Sequence, residues 1–415
     1  MEEYKMVDYT SEKLNPQDTA RAYDYLIIGG GMVADTAARG IRERDLFGSI
    51  GILSADSDEP YTRPALTKKL WTDSTFTQDQ VALNTTKELK GVTLKLNTTV
   101  TGIERENHRV QLKDGTSIRY KKLLLATGGE PTKIDGPDDE HVIVFREWSD
   151  YRRLRNFSGN NQHVIVVGGG YIGAELAAGL IQNNTKVTLI YPDKVLGSSQ
   201  FPAELAKEYE DSFREAGVNL LNNKRAESYT KEDGKLSLQL DDGSTVQGDT
   251  IVIGLGVTPR VSLAEQSGLK VDDGVYVDEQ LRTTDPDIWA AGDIAFYPDK
   301  ILGRTRIEHV DHARKSGKAA GKAMAESGEA YTYTPYFYSV VFSISWKAIG
   351  TLDPSLNTII DAVDGGKVVY YLEDDLPVGI LTWNVEPDLD SVRAILSDPP
   401  TNPQSLKGMI RSKEK

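Results

Sequence analysis

Cysteine is absent from the 415 residues of this chain. That excludes disulfide staples, thiolate metal sites, cysteine-ligated iron–sulfur clusters and any cysteine nucleophile. It also excludes every redox route that passes electrons through a thiol pair. Histidine is scarce, with five in all, so a three-histidine metal site has few candidates. Positive charge is in deficit: 48 Lys and Arg face 62 Asp and Glu, a net charge of −14. A field of that sign repels nucleic acid and anionic membranes. No apolar run reaches the ~18 residues of a spanning helix. The first twenty residues lack both the apolar core of a secretory signal and the arginine-rich face of a transit peptide. The expectation is a soluble cytoplasmic protein with no membrane span and no nucleic-acid partner.

What is present describes an ordinary globular chain, 39% hydrophobic and 27% charged. At about 150 residues per domain, the length predicts two to three domains with a sizeable core. Residues 1–21 are polar and acidic and read as a flexible arm. Order begins at Tyr23, ahead of the apolar run Tyr25-Leu26-Ile27-Ile28, which ends in three glycines. Val164-Ile165-Val166-Val167 ends in three glycines too, and the clusters start 139 residues apart, at Gly29 and Gly168. Such a spacing marks a duplicated supersecondary unit, not a solenoid period. Each unit contains an alternating segment that turns at Asp-Gly, at Asp114-Gly115 and at Asp242-Gly243. Each also closes on an unbroken apolar strand running into glycine, over 122–129 and 250–256. Strands of that kind suit a parallel sheet covered on both faces. Past Pro335, short strands with polar turns precede one helix from about Leu389 to Leu396, which predicts a small α+β domain.

The chemistry sits in the glycine clusters. Gly29-Gly30-Gly31-Met32-Val33-Ala34 is a G-x-G-x-x-A with a strand before it and a helix of small residues after it. Glycine permits the tight turn and lets backbone N–H groups approach a pyrophosphate, whose charge the helix N-terminus stabilises. Gly29, Gly31 and Ala34 are the positions concerned. Gly168-Gly169-Gly170-Tyr171-Ile172-Gly173 is a full G-x-G-x-x-G, resting on Gly168, Gly170 and Gly173. The strand Lys186 to Tyr191 then leads to Asp193, 25 residues after Gly168. A carboxylate there accepts hydrogen bonds from an adenosine ribose and repels a 2′-phosphate, which favours NADH over NADPH. Two dinucleotide folds suggest two dinucleotides, most simply FAD and NADH. Ile288-Trp289-Ala290-Ala291-Gly292-Asp293 delivers Asp293 into a turn at Gly292, where it can bind a ribitol hydroxyl. Ala126-Thr127-Gly128 stands in the order that such a site requires.

These motifs resemble, in their order, the glutathione-reductase-like flavoproteins. More closely, the chain is similar to the group of apoptosis-inducing factor, oxygenase-type ferredoxin reductases and monodehydroascorbate reductase. Pro60-Tyr61-Thr62-Arg63-Pro64-Ala65-Leu66-Thr67-Lys68, Gly173-Ala174-Glu175-Leu176 and Arg306-Ile307-Glu308-His309-Val310-Asp311-His312-Ala313 carry the likeness. Lys347 to Gly350 and Val378 to Val385 look like apoptosis-inducing factor, and Pro335 to Ser339 like monodehydroascorbate reductase. The resemblance spans about residues 22–411. It implies an α/β fold of two Rossmann-like dinucleotide-binding domains, of glutathione-reductase type, plus a small α+β C-terminal domain. The FAD-binding domain is expected over 22–147 and 256–335, the NAD-binding domain over 148–255 and the C-terminal domain over 336–415.

The resemblance also implies roles. Lys68 would sit by flavin N5 and pair with Glu175, and these two are the catalytic candidates; Lys69 beside it reads as an ordinary surface lysine. Arg63 and Arg146 would contact FAD. Tyr171 would lie where nicotinamide docks, with Gly256 and Asn384 on the same side. Glu308 and His309 would approach the flavin from a helix whose positive end stabilises the anionic reduced ring. Val100 and Ile172 complete the cofactor-contacting set. The two histidines at i, i+3 are read as part of this helix start and not as metal ligands. The chain also departs from the family pattern. Ala55 stands where an acid usually holds the FAD ribose, so either Asp56 serves or the contact is lost. Ser343 replaces an aromatic over the flavin, with Phe342 and Trp346 near but not aligned, and Lys347 replaces an acid.

The expected activity is FAD-dependent hydride transfer from NADH to a non-thiol acceptor: a quinone, a ferric complex, dioxygen or a small electron carrier. Two alternatives stand beside it. One is an NADH sensor that keeps a long-lived reduced-flavin–NAD+ complex and dimerises under redox control. The other is a ferredoxin reductase or monodehydroascorbate reductase. A homodimer is an open alternative to a monomer.

Overall fold

The computed structural model describes residues 22–232 and 234–412. The arm expected over 1–21 lies outside the described residues. The apolar run before the first glycines is the inner strand of a parallel sheet. β1 (Ala22–Ile28) lies between β2 (Ile50–Leu53) and β6 (Ser117–Leu125), with Ile27 opposite both Ile52 and Leu124. β3 (Val92–Lys95) extends the sheet beyond β2. On the edge away from β1, β6 serves two partners. Its first residues pair antiparallel with β5 (Arg109–Leu112), itself paired to β4 (Val100–Glu104), across the expected Asp-Gly turn. Its last three residues pair parallel with Ile288–Ala290. The continuous apolar character of β1, β2 and the end of β6 follows from this, because helices and loops cover both faces.

The helix after the first glycine cluster, α1 (Met32–Arg42), packs along a later helix, α4 (Val310–Met324). Both are built of small residues on their shared face, and the backbones nearly touch. A side chain at Gly40 would run into the Lys318 carbonyl, and one at Gly321 into the Ala37 carbonyl.

The second glycine cluster repeats the plan. β7 (Val142–Val144), β8 (His163–Val167), β9 (Lys186–Ile190), β10 (Asn219–Leu221) and β11 (Thr250–Ile253) form a parallel sheet in the order β10-β9-β8-β11-β7. Between β8 and β9 runs α2 (Tyr171–Ile181), and α3 (Ala203–Glu215) precedes β10. β7 falls before the expected division at 147 yet pairs in this second sheet. An antiparallel ribbon over 226–232, 235–240 and 245–248 contains the second Asp-Gly turn. Gly129–Pro131 and Val257–Pro259 pair where the chain crosses between the two units and returns.

The C-terminal sheet is antiparallel throughout: β12 (Phe337–Val341), β13 (Ile344–Gly350), β14 (Asn357–Val363), β15 (Gly366–Glu373) and β16 (Leu376–Trp383), in the order β12-β13-β16-β15-β14. Alternation sorts its side chains. Trp346, Val369, Tyr371, Leu381 and Trp383 pack toward the second unit, while Ile349, Val368, Tyr370 and Ile380 pack under α5 (Leu389–Ser397). Trp383 donates its indole N–H to Glu208 on α3 at 2.9 Å, and the Tyr371 hydroxyl donates to the Gln200 carbonyl at 2.6 Å. The sheet is thus docked on the second unit by aromatic side chains, of which Trp383 and Tyr371 also hydrogen-bond it through their polar tips.

Gly321→Ala should destabilise the protein by about 2 kcal/mol or more, because the added methyl meets the α1 backbone and not a movable side chain. Urea unfolding of the variant checks this.

Candidate functional site

The strands bring the glycine turns together. Gly29, at φ +120°, donates to the Leu53 carbonyl at 2.8 Å and passes so close to the Ala126 carbonyl that a side chain would collide. Gly168, at φ +111°, does the same with Ile190 (2.9 Å) and the Gly254 carbonyl. Gly173 packs against the Gly168 carbonyl, and Ala34 is buried in α1. These four build the turns; Gly29 also lines the cavity, while Gly168, Gly173 and Ala34 stand behind its wall. Gly31 and Gly170 behave oppositely. A β-carbon on either would meet no protein atom within 4 Å, and each is the N-cap of its helix without a capping side chain. Both line one cavity of about 940 Å³, at the upper end for a ligand cleft. The first N–H groups of α1 and α2 are therefore left for a ligand, the arrangement that receives a pyrophosphate. The residues fit two dinucleotides.

The repeat extends past the second strand of each unit. Asp56 follows the end of β2 by three residues, and Asp193 follows the end of β9 by three. Asp56 lines the cavity, beside Ala55, which has no acceptor to offer. Asp193 is half-buried and does not line it.

At the junction of the units, Lys68 Nζ lies 2.8 Å from Glu175 Oε2; the side chains are 18% and 2% exposed. The ammonium also stands 5.0 Å from the centre of the Tyr338 ring. Arg63 donates to the Arg146 carbonyl at 2.8 Å, and Arg146 pairs with Asp293 at 3.1 Å, so three expected contacts form one chain. Gly292, at φ +72°, lies behind Asp293 with its N–H on the Ser316 hydroxyl at 3.0 Å. Val100, Ala126, Thr127 and Gly128 line the same wall, and Thr127 is fixed by donating to the Arg260 carbonyl at 2.7 Å.

His309 is the N-cap of α4, its ring accepting from the Asp311 N–H at 3.4 Å, and it lies among the rings of Tyr336, Phe337 and Tyr338. Burial, reinforced by the Lys68 charge, lowers its pKa to about 4, so the ring facing the cavity is neutral near pH 7. Glu308 also lines the cavity and pairs with Arg306. Tyr171, Ile172 and Gly256 form the remaining wall. The Tyr171 hydroxyl donates to Gln200 Oε1 at 2.7 Å and its ring rests 5.4 Å from Trp346. Ser343 sits in the turn between β12 and β13, and Phe342 there packs on Phe213. Asn384 is placed elsewhere. It exchanges hydrogen bonds with Ser345 at 2.7 and 2.8 Å, closing the end of the β13–β16 pair, and does not line the cavity.

A family model described as pyridine nucleotide-disulphide oxidoreductase matches residues 23–317. The chain belongs to the pyridine nucleotide-disulphide oxidoreductase family. It is 34% identical to peroxisomal monodehydroascorbate reductase 4 of Arabidopsis thaliana, over 81% of this chain and 73% of that one. It is 30% identical to mitochondrial apoptosis-inducing factor 1 of Dictyostelium discoideum, over 94% and 81%. Among solved structures it resembles the reductase of the covalent putidaredoxin reductase–putidaredoxin complex, with TM-score 0.83, 26% identity and coverage of 93% and 95%. The ferredoxin reductase of the CYP199A2 system from Rhodopseudomonas palustris matches with TM-score 0.83, 25% identity and coverage of 92% and 96%. The disulphide of the family name has no counterpart here, since the chain has no cysteine.

Tyr338, Arg260 and Glu130 are among the lining residues to which the motifs give no role. Tyr338 lay within the quoted run Pro335 to Ser339, so its signal was present. Arg260 and Glu130 pair at 2.6 Å across 130 positions of chain, and nothing local marks either.

Two outcomes follow from this geometry. Gly31→Ala should cost apoprotein stability no more than about 1 kcal/mol, the loss of a favourable N-cap residue, since the added β-carbon meets no protein atom, but should weaken retention of the first dinucleotide; gel filtration and absorbance of the purified variant read this. The second outcome concerns His312, which is fully buried, stacks on Tyr297 and bonds the Tyr331 hydroxyl at 3.0 Å. Burial lowers its pKa to about 4 from an ordinary 6.5. The unfolded chain then binds the extra proton between those values, so stability falls as pH drops through that window. His312→Phe should flatten the slope by about one proton, measured as unfolding free energy against pH.

Proposed function

We propose that the chain is an FAD-dependent NADH oxidoreductase that delivers electrons to a non-thiol acceptor. The observation that carries this reading is the buried Lys68–Glu175 pair on the wall of a cavity that also holds two uncapped glycine N-caps. FAD, when bound, supplies the chemistry by taking two electrons from NADH and releasing them to the acceptor.

The chain's own residues do the rest. The α1 N-terminus at Gly31 would hold the FAD pyrophosphate and Asp293 the ribityl chain, with Arg146 fixing that carboxylate. The α2 N-terminus at Gly170 holds the NADH pyrophosphate. Glu175 orients the Lys68 ammonium, which would be free to donate a hydrogen bond to a flavin held in the cavity. The N-terminus of α4 would present its positive end to a flavin ring bound in the cavity, and neutral His309 adds no charge of its own to that end. Tyr171, backed by Trp346, would present its ring to the nicotinamide side of the cavity.

Specificity for NADH is assigned to Asp193 by its equivalence to Asp56 in the duplicated unit. A second reading, monodehydroascorbate reduction, is favoured by the peroxisomal relative that matches over 81% of this chain and by Tyr338 on the cavity wall. The putidaredoxin reductase likeness supports a small electron-transfer protein as a further acceptor.

Stopped-flow mixing with NADH tests the assignment. Lys68→Ala should retain FAD and be reduced at least about tenfold more slowly; a wild-type rate would remove Lys68 from the reaction. Asp193→Ala should narrow the ratio of kcat/KM for NADH over NADPH, and an unchanged ratio would remove that residue from the ribose site. Steady-state turnover with enzymatically generated ascorbate radical, against quinone and ferricyanide, separates the two readings of the acceptor.

A further inference from the structure

Glu175 is held by more than Lys68. Its carboxylate is 3% exposed and accepts three hydrogen bonds. Lys68 Nζ and Thr67 Oγ1 share Oε2, at 2.8 and 2.6 Å, and Ser339 Oγ donates to Oε1 at 2.6 Å. Both hydroxyls are as buried as the carboxylate, Thr67 at 3% and Ser339 at 1% exposure. The donors come from separate parts of the chain. Thr67 and Lys68 belong to the first dinucleotide unit, Glu175 lies on α2 of the second, and Ser339 lies on β12 of the C-terminal sheet.

We propose that Thr67 and Ser339 are positioning residues for flavin reduction, acting through the Glu175 carboxylate on the direction of the Lys68 ammonium. The terminal torsion of a glutamate is broad and two-fold, so one fixed oxygen leaves the carboxylate plane free to turn. A donor on each oxygen sets that plane. Oε2 then faces Lys68 in one orientation, and the Lys68 donors that point into the cavity are set with it. Removing the Ser339 hydroxyl leaves Oε1 as an unpaired acceptor in a place almost without water, which costs more than the bond itself contributes. β12 also touches the other member of the pair, because Tyr338 lies against the Lys68 ammonium. The C-terminal sheet contributes no glycine turn, yet it reaches the reacting end of the site through two adjacent residues. This inference rests on the reading that Lys68 serves a bound flavin.

The test uses Ser339→Ala and the near-isosteric Thr67→Val, each alone and in a Glu175→Gln background, in the FAD-loaded protein. Three quantities are read: the stopped-flow rate of reduction by NADH, the flavin midpoint potential from dye titration without NADH, and the thermal unfolding midpoint. Each single substitution should slow reduction about tenfold, the size of a lost buried hydrogen bond to a charged group. It should also shift the midpoint potential while FAD content and NADH affinity stay unchanged, and Ser339→Thr should recover most of the rate. In the Glu175→Gln background neither hydroxyl should matter, since the coupling runs through the carboxylate. Unchanged rate and potential in both single variants would overturn the inference. So would losses of equal size with and without Glu175, which would mark a packing role. A wild-type flavin that NADH fails to reduce would overturn the functional reading instead, and the dye-measured potentials would still decide this one.

Discussion

The site depends on backbone approaching backbone closer than a side chain allows. At Gly29 and Gly168 the chain turns against the carbonyls of Ala126 and Gly254, and at Gly40 and Gly321 two helices meet main chain to main chain. Each contact draws a helix start toward the ends of the parallel strands. Two N-termini and their unpaired N–H groups are thereby brought to one cavity, at Gly31 and Gly170, with nothing in the way. A single methyl at any of the crowded glycines would push the helix out and dilute that field. A methyl at either open glycine would occupy the ligand's place. The same residue type thus has two physical duties a few positions apart.

The three parts of the molecule meet on a carboxylate. Glu175 lies on the second unit and takes its donors from the first unit and from the C-terminal sheet. Placing a charge in so dry a position is expensive unless every acceptor is met. The three hydrogen bonds meet that need, and they couple the docking of the C-terminal sheet to the reacting end of the cavity. The apolar side of that docking, Trp346, Trp383, Phe201 and Tyr209 packed edge to face, supplies the area; the Glu175 cluster supplies the register.

A family named for a disulphide here has a member without cysteine. With no thiol in the chain, no cysteine pair is available to carry electrons away from the cavity. The relatives named above differ in acceptor. In this chain the two glycine turns and side chains of the C-terminal sheet such as Tyr338 line one cavity.

Local rules reach far into this chain. Apolar runs ending in glycine, the spacing of the two clusters, the Asp-Gly turns and the alternation after Pro335 determine two parallel units and a third antiparallel one, because period and turn chemistry act within a few residues. The same rules identified Gly31, Gly170, Asp293 and, through the family motifs, Lys68 with Glu175. They did not reach Arg260 with Glu130, or Thr67 and Ser339 on Glu175, since those partners lie more than a hundred residues apart and only packing brings them together. They also could not tell which glycines would face the open cavity and which would face protein, nor that Asn384 would close a strand pair away from the cavity lining. Those outcomes depend on which atoms of distant segments fill the space around a residue. That is a property of the assembled tertiary structure and of no local stretch of the chain.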